Sequence, residues 1–155
     1  MQDIIRKHLA DLAAGDWAGY RAGLAGNAVY KELATGASVQ SADEYVKIAQ
    51  RWRKAFPDLT GHILESFDNE NRCVVEVRWE ATHTGVLESS FGTFAATRKR
   101  VSVEAAMVFT LEGGKIAKVH HYFDLMKLMV QLGISTGLPI AAAPKGAPAG
   151  AAPRH

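Results

Sequence analysis

Apolar residues recur every three or four positions through the first third of the chain and every second position afterwards. The change of period marks a change from helices to strands. Ile5, Leu9 and Leu12 form one helical stripe that ends near Gly15, and Asp16 is placed to cap a second short helix carrying Trp17, Tyr20 and Leu24. "NAVYKEL" reads as a strand and "ATGASVQ" as the loop after it. Ser41 and Glu44 make an S-x-x-E capping box, in which each side chain serves a backbone N–H freed at the helix start. Tyr45, Ile48, Ala49 and Trp52 follow at helical spacing until Pro57 stops the helix.

From Leu59 onward the alternation is that of strands: "LTGHILESFD", "RCVVEVRWEATHTG", "RVSVEAAMVFTL" and "KIAKVHHYFD". "DNEN" separates the first pair and "EGG" turns the last pair into a hairpin, while "VLESSFGTFAAT" is a longer, partly extended connection. Leu125, Leu128, Met129 and Leu132 close the patterned region as a short helix ending at Gly133. Helices followed by a run of antiparallel strands predict an α+β fold, with helices over one curved sheet. The domain is expected to span residues 1–134. The Pro/Ala/Gly-rich stretch 135–155 has too few bulky side chains to offset its ordering entropy and is expected to be a disordered tail.

Alternation also sorts side chains into faces. In the long middle strand Val75, Val77, Trp79, Ala81 and His83 share one face, opposite the charged Glu76, Arg78 and Glu80, so the Trp79/His83 face is expected inside. In the last strand His120, Tyr122 and Asp124 share a face, opposite Val119, His121 and Phe123. The first of these sets is expected to point inward, because an apolar concave wall carrying Asp, His and Tyr suits a ligand pocket. There, aromatic surface would strip water from the Asp124 carboxylate and raise its proton affinity. His83, His120 or Tyr122 would offset charge on an enolate oxygen.

Each of these residues has a simpler role as well. Asp124 precedes an amphipathic helix and is a favoured N-cap, a role compatible with catalysis. His83 and His120 fit as core histidines satisfied by neighbours, and Tyr122 and Trp79 as packing residues.

Composition narrows the chemistry. With 155 residues, 48% hydrophobic and 22% charged, the chain has the make-up of an ordinary single globular domain. A net charge of +2, with "TRKR" at 97–100 as the densest basic cluster, gives no reason to expect a nucleic-acid partner. The start has no long apolar run, so neither a signal peptide nor a membrane anchor is expected, and a cytoplasmic location is the default. Cys73 is alone, which excludes an internal disulfide, and "CVVEV" places it in a strand as a small core residue. No H-E-x-x-H pair, G-x-S-x-G elbow or glycine-rich phosphate loop occurs. No metal and no cofactor are expected, which leaves acid–base chemistry.

Four segments carry a family resemblance: "AFPDL" at 55–59, "VEVRWEATHTG" at 75–85, "FTLEGGKI" at 109–116 and "YFDLMKLMVQLG" at 122–133. In order and spacing the chain resembles the SnoaL-like polyketide cyclases (ester cyclases) of the nuclear transport factor two-like superfamily, over nearly all of its length before the tail. The resemblance implies a cone-shaped α+β barrel, with N-terminal helices packed on a strongly curved, mainly antiparallel sheet around a deep pocket. It also implies a homodimer packed through the sheet, and a metal- and cofactor-free intramolecular aldol ring closure on a small apolar carbonyl ligand. Asp124 matches the family's acid/base aspartate and His83 the histidine of its H-x-G segment; Trp79 matches the large residue that begins that segment. Trp79, His120, Tyr122, Tyr30 and Trp52 are the expected substrate contacts.

The chain departs from its relatives at three places. "AATRK" replaces a "PTG" at the pocket lip. "VHHY" replaces an "HWD" stretch, with His120 at the tryptophan position. Lys31 replaces a histidine after Tyr30. The competing expectations are an isomerase resembling ketosteroid isomerase, using the same base, and a non-catalytic binding module for a small apolar ligand. An epoxide hydrolase is disfavoured because Arg78 lies on the charged face.

Overall fold

The computed structural model describes residues 1–134. The tail expected from residue 135 onward lies outside the described residues.

The longest strand, Arg100–Glu112 (β7), alternates without a break: Val101, Val103, Ala105, Met107, Phe109 and Leu111 are buried, and the residues between them reach the surface. It organises a six-stranded sheet in the order β2-β1-β8-β7-β4-β3, built from Leu24–Glu32 (β1), Ala37–Val39 (β2), Thr60–Asn69 (β3), Arg72–Thr82 (β4), β7 and Lys115–Phe123 (β8). Only the β1–β8 pair is parallel; the others are antiparallel. The connection 86–97 contributes a separate small hairpin, Leu87–Ser89 (β5) with Gly92–Phe94 (β6). The fold is therefore α+β, with helices on a curved, mostly antiparallel sheet, as expected.

The helices Gln2–Ala14 (α1) and Trp17–Ala22 (α2) precede β1, Ala42–Ala55 (α3) lies between β2 and β3, and Leu125–Leu132 (α4) follows β8. The second helix is shorter than its apolar spacing suggests, because Leu24 already begins β1. The capping box at α3 is one-sided. Ser41 Oγ accepts the Glu44 N–H at 3.2 Å, while the Glu44 carboxylate takes the Ser41 hydroxyl at 3.0 Å instead of reaching back to the backbone. Arg53 on α3 donates to the carbonyls of Leu12 and Ala13, satisfying the free end of α1 and tying the two helices together.

The inner sheet face meets α1 and α3 over a core that includes Ile5, Leu9, Tyr45, Ile48, Val75, Val77, Met107 and Phe109. A second cluster, with Ala55, Phe56, Ala81, Val101, Leu128 and Leu132, sits where α4 packs on β7. Cys73 is fully buried, and burial followed by the nearby Asp68 pushes its thiol up to about 12, so it is an inert core residue. No helix among the described residues is long and apolar enough to cross a membrane.

Candidate functional site

Between the inner sheet face and the helices lies a cavity of about 90 Å³. Its lining comes from α1 (His8, Leu9, Leu12), α3 (Tyr45, Ile48, Trp52) and the strands (Tyr30, Trp79, Met107, His121, Phe123). Nearly all of the exposed wall is carbon, because the polar atoms around it are spent on one another.

Two polar groups serve that wall. The first runs along the β1–β8 edge, where parallel pairing sets Glu32 beside His121 and Tyr30 beside Val119. Trp79 donates its indole N–H to His121 Nε2 at 3.2 Å, and His121 Nδ1 lies 2.9 Å from the Tyr30 hydroxyl. Tyr30 in turn donates to Glu32 Oε2 at 2.7 Å, which also receives the Trp52 indole N–H at 2.9 Å. Thr35 donates to Glu32 Oε1 at 2.6 Å. Glu32 is only 2% exposed, and its charge is met by these three neutral donors. Burial pulls His121 down to about 4 and raises Tyr30 well above its ordinary range, with Glu32 adding to the latter shift.

The second group is His8, Tyr20 and Tyr45. His8 stacks on Tyr20 with ring centroids 4.0 Å apart, and its Nε2 lies 3.2 Å from the Tyr45 hydroxyl. Its Nδ1 is buried without a hydrogen-bond partner. Burial, then the neighbouring Lys7, lowers His8 to about 3. Tyr45 stacks on Tyr30 at 4.4 Å, joining the two groups into one aromatic wall.

The expected site residues divide accordingly. Tyr30, Trp52 and Trp79 line the cavity, and Trp79 points inward as its strand's alternation predicts. His120, Tyr122 and Asp124 do not: the inward face of β8 is the alternate set Val119, His121 and Phe123. The ladder with β7 decides it, since His121 pairs with buried Met107, and His120 with Val108 on the outer face. Tyr122 is 45% exposed. His120 titrates below its ordinary range through partial burial and the cations of Lys31, Lys118 and Arg72.

Asp124 is exposed and caps α4, its Oδ1 accepting the Lys127 N–H at 2.9 Å. His83 is fully buried but lies outside the cavity lining. Its backbone bonds Lys99 and Arg98, its Nδ1 accepts the Thr97 N–H at 3.2 Å, and its ring rests 5.1 Å from that of Phe56. That is the setting of a core histidine pinning the segment that leads into β7, and burial lowers its proton affinity.

Six polar residues of the site were not among the expected ones: His121, Glu32, Thr35, His8, Tyr20 and Tyr45. For His121 the signal was present, because it alternates with Val119 and Phe123. Glu32 and His8 carry no comparable mark.

A second pocket of about 140 Å³ lies on the other side of Trp52 and Ile48, which border both spaces. Glu32, Thr35, Arg51, Glu88 and Ser90 line it. Among the described residues no cluster of His, Cys, Asp and Glu side chains is arranged to hold a metal.

The fold recurs in solved structures of low sequence identity. AclR from Streptomyces galilaeus, described as a candidate hydroxylase, superposes with a TM-score of 0.71 at 24% identity, covering 91% of this chain and 83% of its own. IdmH from Streptomyces antibioticus, described as a candidate polyketide cyclase, gives 0.73 at 18%, covering 86% and 98%. A protein from Catenulispora acidiphila with a ketosteroid isomerase-like fold, in complex with trimethylamine, gives 0.73 at 14%, covering 88% and 97%. No functionally curated protein matches the sequence. The family model for SnoaL-like polyketide cyclases matches residues 2–132, so the chain belongs to the SnoaL-like polyketide cyclase family.

Proposed function

We propose that the protein is an acid–base enzyme of the cyclase type, in which His121 rather than Asp124 takes a proton from the carbon beside a carbonyl. The observation that carries this reading is the Trp79–His121 pair on the wall of an apolar cavity. Kept neutral by burial, His121 has an unprotonated ring nitrogen to take a proton, and the indole N–H of Trp79 is a donor already placed beside Nε2. A carbonyl inserted between them would accept the Trp79 N–H on its oxygen and present its α C–H to Nε2. The enolate so formed attacks a second carbonyl when the same molecule holds one, and the proton returns to the new alkoxide. The aligned stretch that sets His120 at the relatives' tryptophan sets His121 at the aspartate of "HWD", an imidazole in place of a carboxylate.

Size limits the substrate. The cavity is smaller than the roughly 150 Å³ that holds a benzene molecule. A small carbonyl compound is therefore the substrate class proposed, and a multi-ring precursor requires Trp52 to move and join the cavity to the outer pocket. The protein is proposed to act as a homodimer through the outer sheet face. There Phe67, Val74 and Val108 pair in a row across three strands.

The test is hydrogen exchange at carbon, which needs no knowledge of the natural substrate. Acetone, small enough for this cavity, should lose its proton NMR signal in D₂O faster with the protein than in buffer. His121→Gln should abolish the acceleration and Asp124→Asn should leave it intact; the reverse pattern would restore Asp124 as the base. The almost wholly carbon wall favours a second reading, a binding module for a small apolar ligand. Ketone binding without any acceleration of exchange would select it.

A further inference from the structure

We propose that Glu32, acting through Tyr30, is the positioning residue that fixes which nitrogen of His121 carries the proton. The proposal deepens the reading of His121 as the base, and it follows from counting hydrogens along the chain.

A tryptophan N–H can only donate. Trp52 therefore makes Glu32 Oε2 an acceptor, and the Tyr30 hydroxyl, 2.7 Å from the same oxygen, turns its one hydrogen toward it. The Thr35 hydroxyl occupies Oε1. With its hydrogen committed, the Tyr30 oxygen can only accept from His121 Nδ1, 2.9 Å away, so Nδ1 carries the proton. At the opposite ring nitrogen Trp79 imposes the same answer, because its donor N–H at 3.2 Å requires a bare lone pair on Nε2.

The two ends of the ring thus agree on one tautomer, and its lone pair stands beside the Trp79 N–H. The β1–β8 register, with Glu32 opposite His121, makes the arrangement a property of the sheet and not of a loop. Removing the Glu32 acceptor frees the Tyr30 hydrogen to turn toward Nδ1. The imidazole proton would then be driven to Nε2, against the Trp79 N–H.

The side-chain nitrogens of His121 can be read in long-range ¹H–¹⁵N spectra of the labelled, ligand-free protein at pH 7, assigned by their loss in His121→Gln. The wild type should show a protonated Nδ1 and a bare Nε2. Glu32→Leu should convert this single tautomer into a mixture, and Tyr30→Phe should do the same with loss of only one oxygen. A wild-type proton on Nε2 overturns the proposal, as does an unchanged spectrum in Glu32→Leu. Should that variant not fold, an unchanged Tyr30→Phe spectrum serves as the overturning result. Because no ligand is present, this outcome is separate from the acetone exchange assay, whose failure removes the base role and leaves the tautomer result standing.

Discussion

Trp79 on β4 reaches across the inner sheet face to give its indole N–H to Nε2 of His121 on β8, 3.2 Å away. The bond holds two reactive edges together in the resting protein and hides both from the cavity. Trp79→Phe keeps an aromatic ring and deletes the donor. Its loss should cost about 1–2 kcal/mol in urea unfolding, since a buried acceptor is left bare. If the N–H also meets the enolate oxygen, α-proton exchange of acetone should fall by about 10²-fold. A variant that loses stability but exchanges at the wild-type rate would leave Trp79 a packing residue.

The close approach of β3 supplies an independent handle on the same bond. Gly61 pairs with Trp79, and a Cβ there would lie 2.6 Å from the indole six-membered ring. Gly61→Ala should therefore displace the ring, with a cost of about 1–3 kcal/mol from overpacking. A shift in tryptophan fluorescence and partial loss of the Nε2 hydrogen bond in the ¹⁵N spectrum would report it. An alanine tolerated with neither change would mean that the strand yields instead of the indole.

Asp124 gives the sharpest contrast between the two readings of the last strand. Its carboxylate is exposed and accepts the Lys127 N–H. Asparagine caps about as well, so Asp124→Asn should unfold within a few tenths of a kcal/mol of wild type. Asp124→Ala should cost about 1 kcal/mol by thermal or urea denaturation. Catalytic loss in the asparagine variant at unchanged stability would return the acid/base role to this carboxyl.

The order of helices and strands was legible because it rests on periodicity, and periodicity is enforced by burial along the whole length of an element. The faces of β4 were legible for the same reason: Glu76, Arg78 and Glu80 declare the wet side, where Arg78 meets Glu104 at 3.2 Å and Glu80 meets His62 at 3.1 Å. On β8 the two criteria conflicted. Val119 and Phe123 mark the His121 face as apolar, whereas His120, Tyr122 and Asp124 carry more chemistry. Following the chemistry selects the outer face. Burial is the stronger rule, because the β7 ladder fixes parity for every residue at once. Glu32 was hidden for a different reason. A lone glutamate in "VYKEL" looks solvated until the parallel β1–β8 pairing, a contact between residues nearly ninety apart in sequence, brings Tyr30 and His121 to it.

The outer sheet face yields a prediction about assembly. Phe67 is 57% exposed and stands beside Val74, which stands beside Val108, with His120 completing the row. If this row is the core of a dimer interface, Phe67→Glu should convert a dimer to a monomer in sedimentation or light scattering, while thermal unfolding at fixed concentration shifts downward. A wild-type monomer at micromolar concentration would remove the proposed assembly.

Buried neutral histidines should make the protein acid-sensitive in a defined window. His8 and His121 are 3% and 8% exposed, and burial holds them at about 3 and about 4 in the folded chain, against 6.5 when exposed. Between those limits the unfolded state binds protons that the native state refuses, so stability falls as pH falls. The loss starts near pH 6.5 and ends near pH 4 for His121 and near pH 3 for His8. At pH 4.5 each group should have withdrawn about 2–3 kcal/mol relative to pH 7. Urea midpoints at pH 7, 5.5 and 4.5 measure the slope, and the upper half of the window lies above the range where carboxylates titrate. His121→Gln and His8→Gln should each flatten it, because glutamine has no proton to gain. A wild-type slope that is already flat between pH 6.5 and 5 would mean that water reaches the cavity wall and that neither histidine is held neutral by burial.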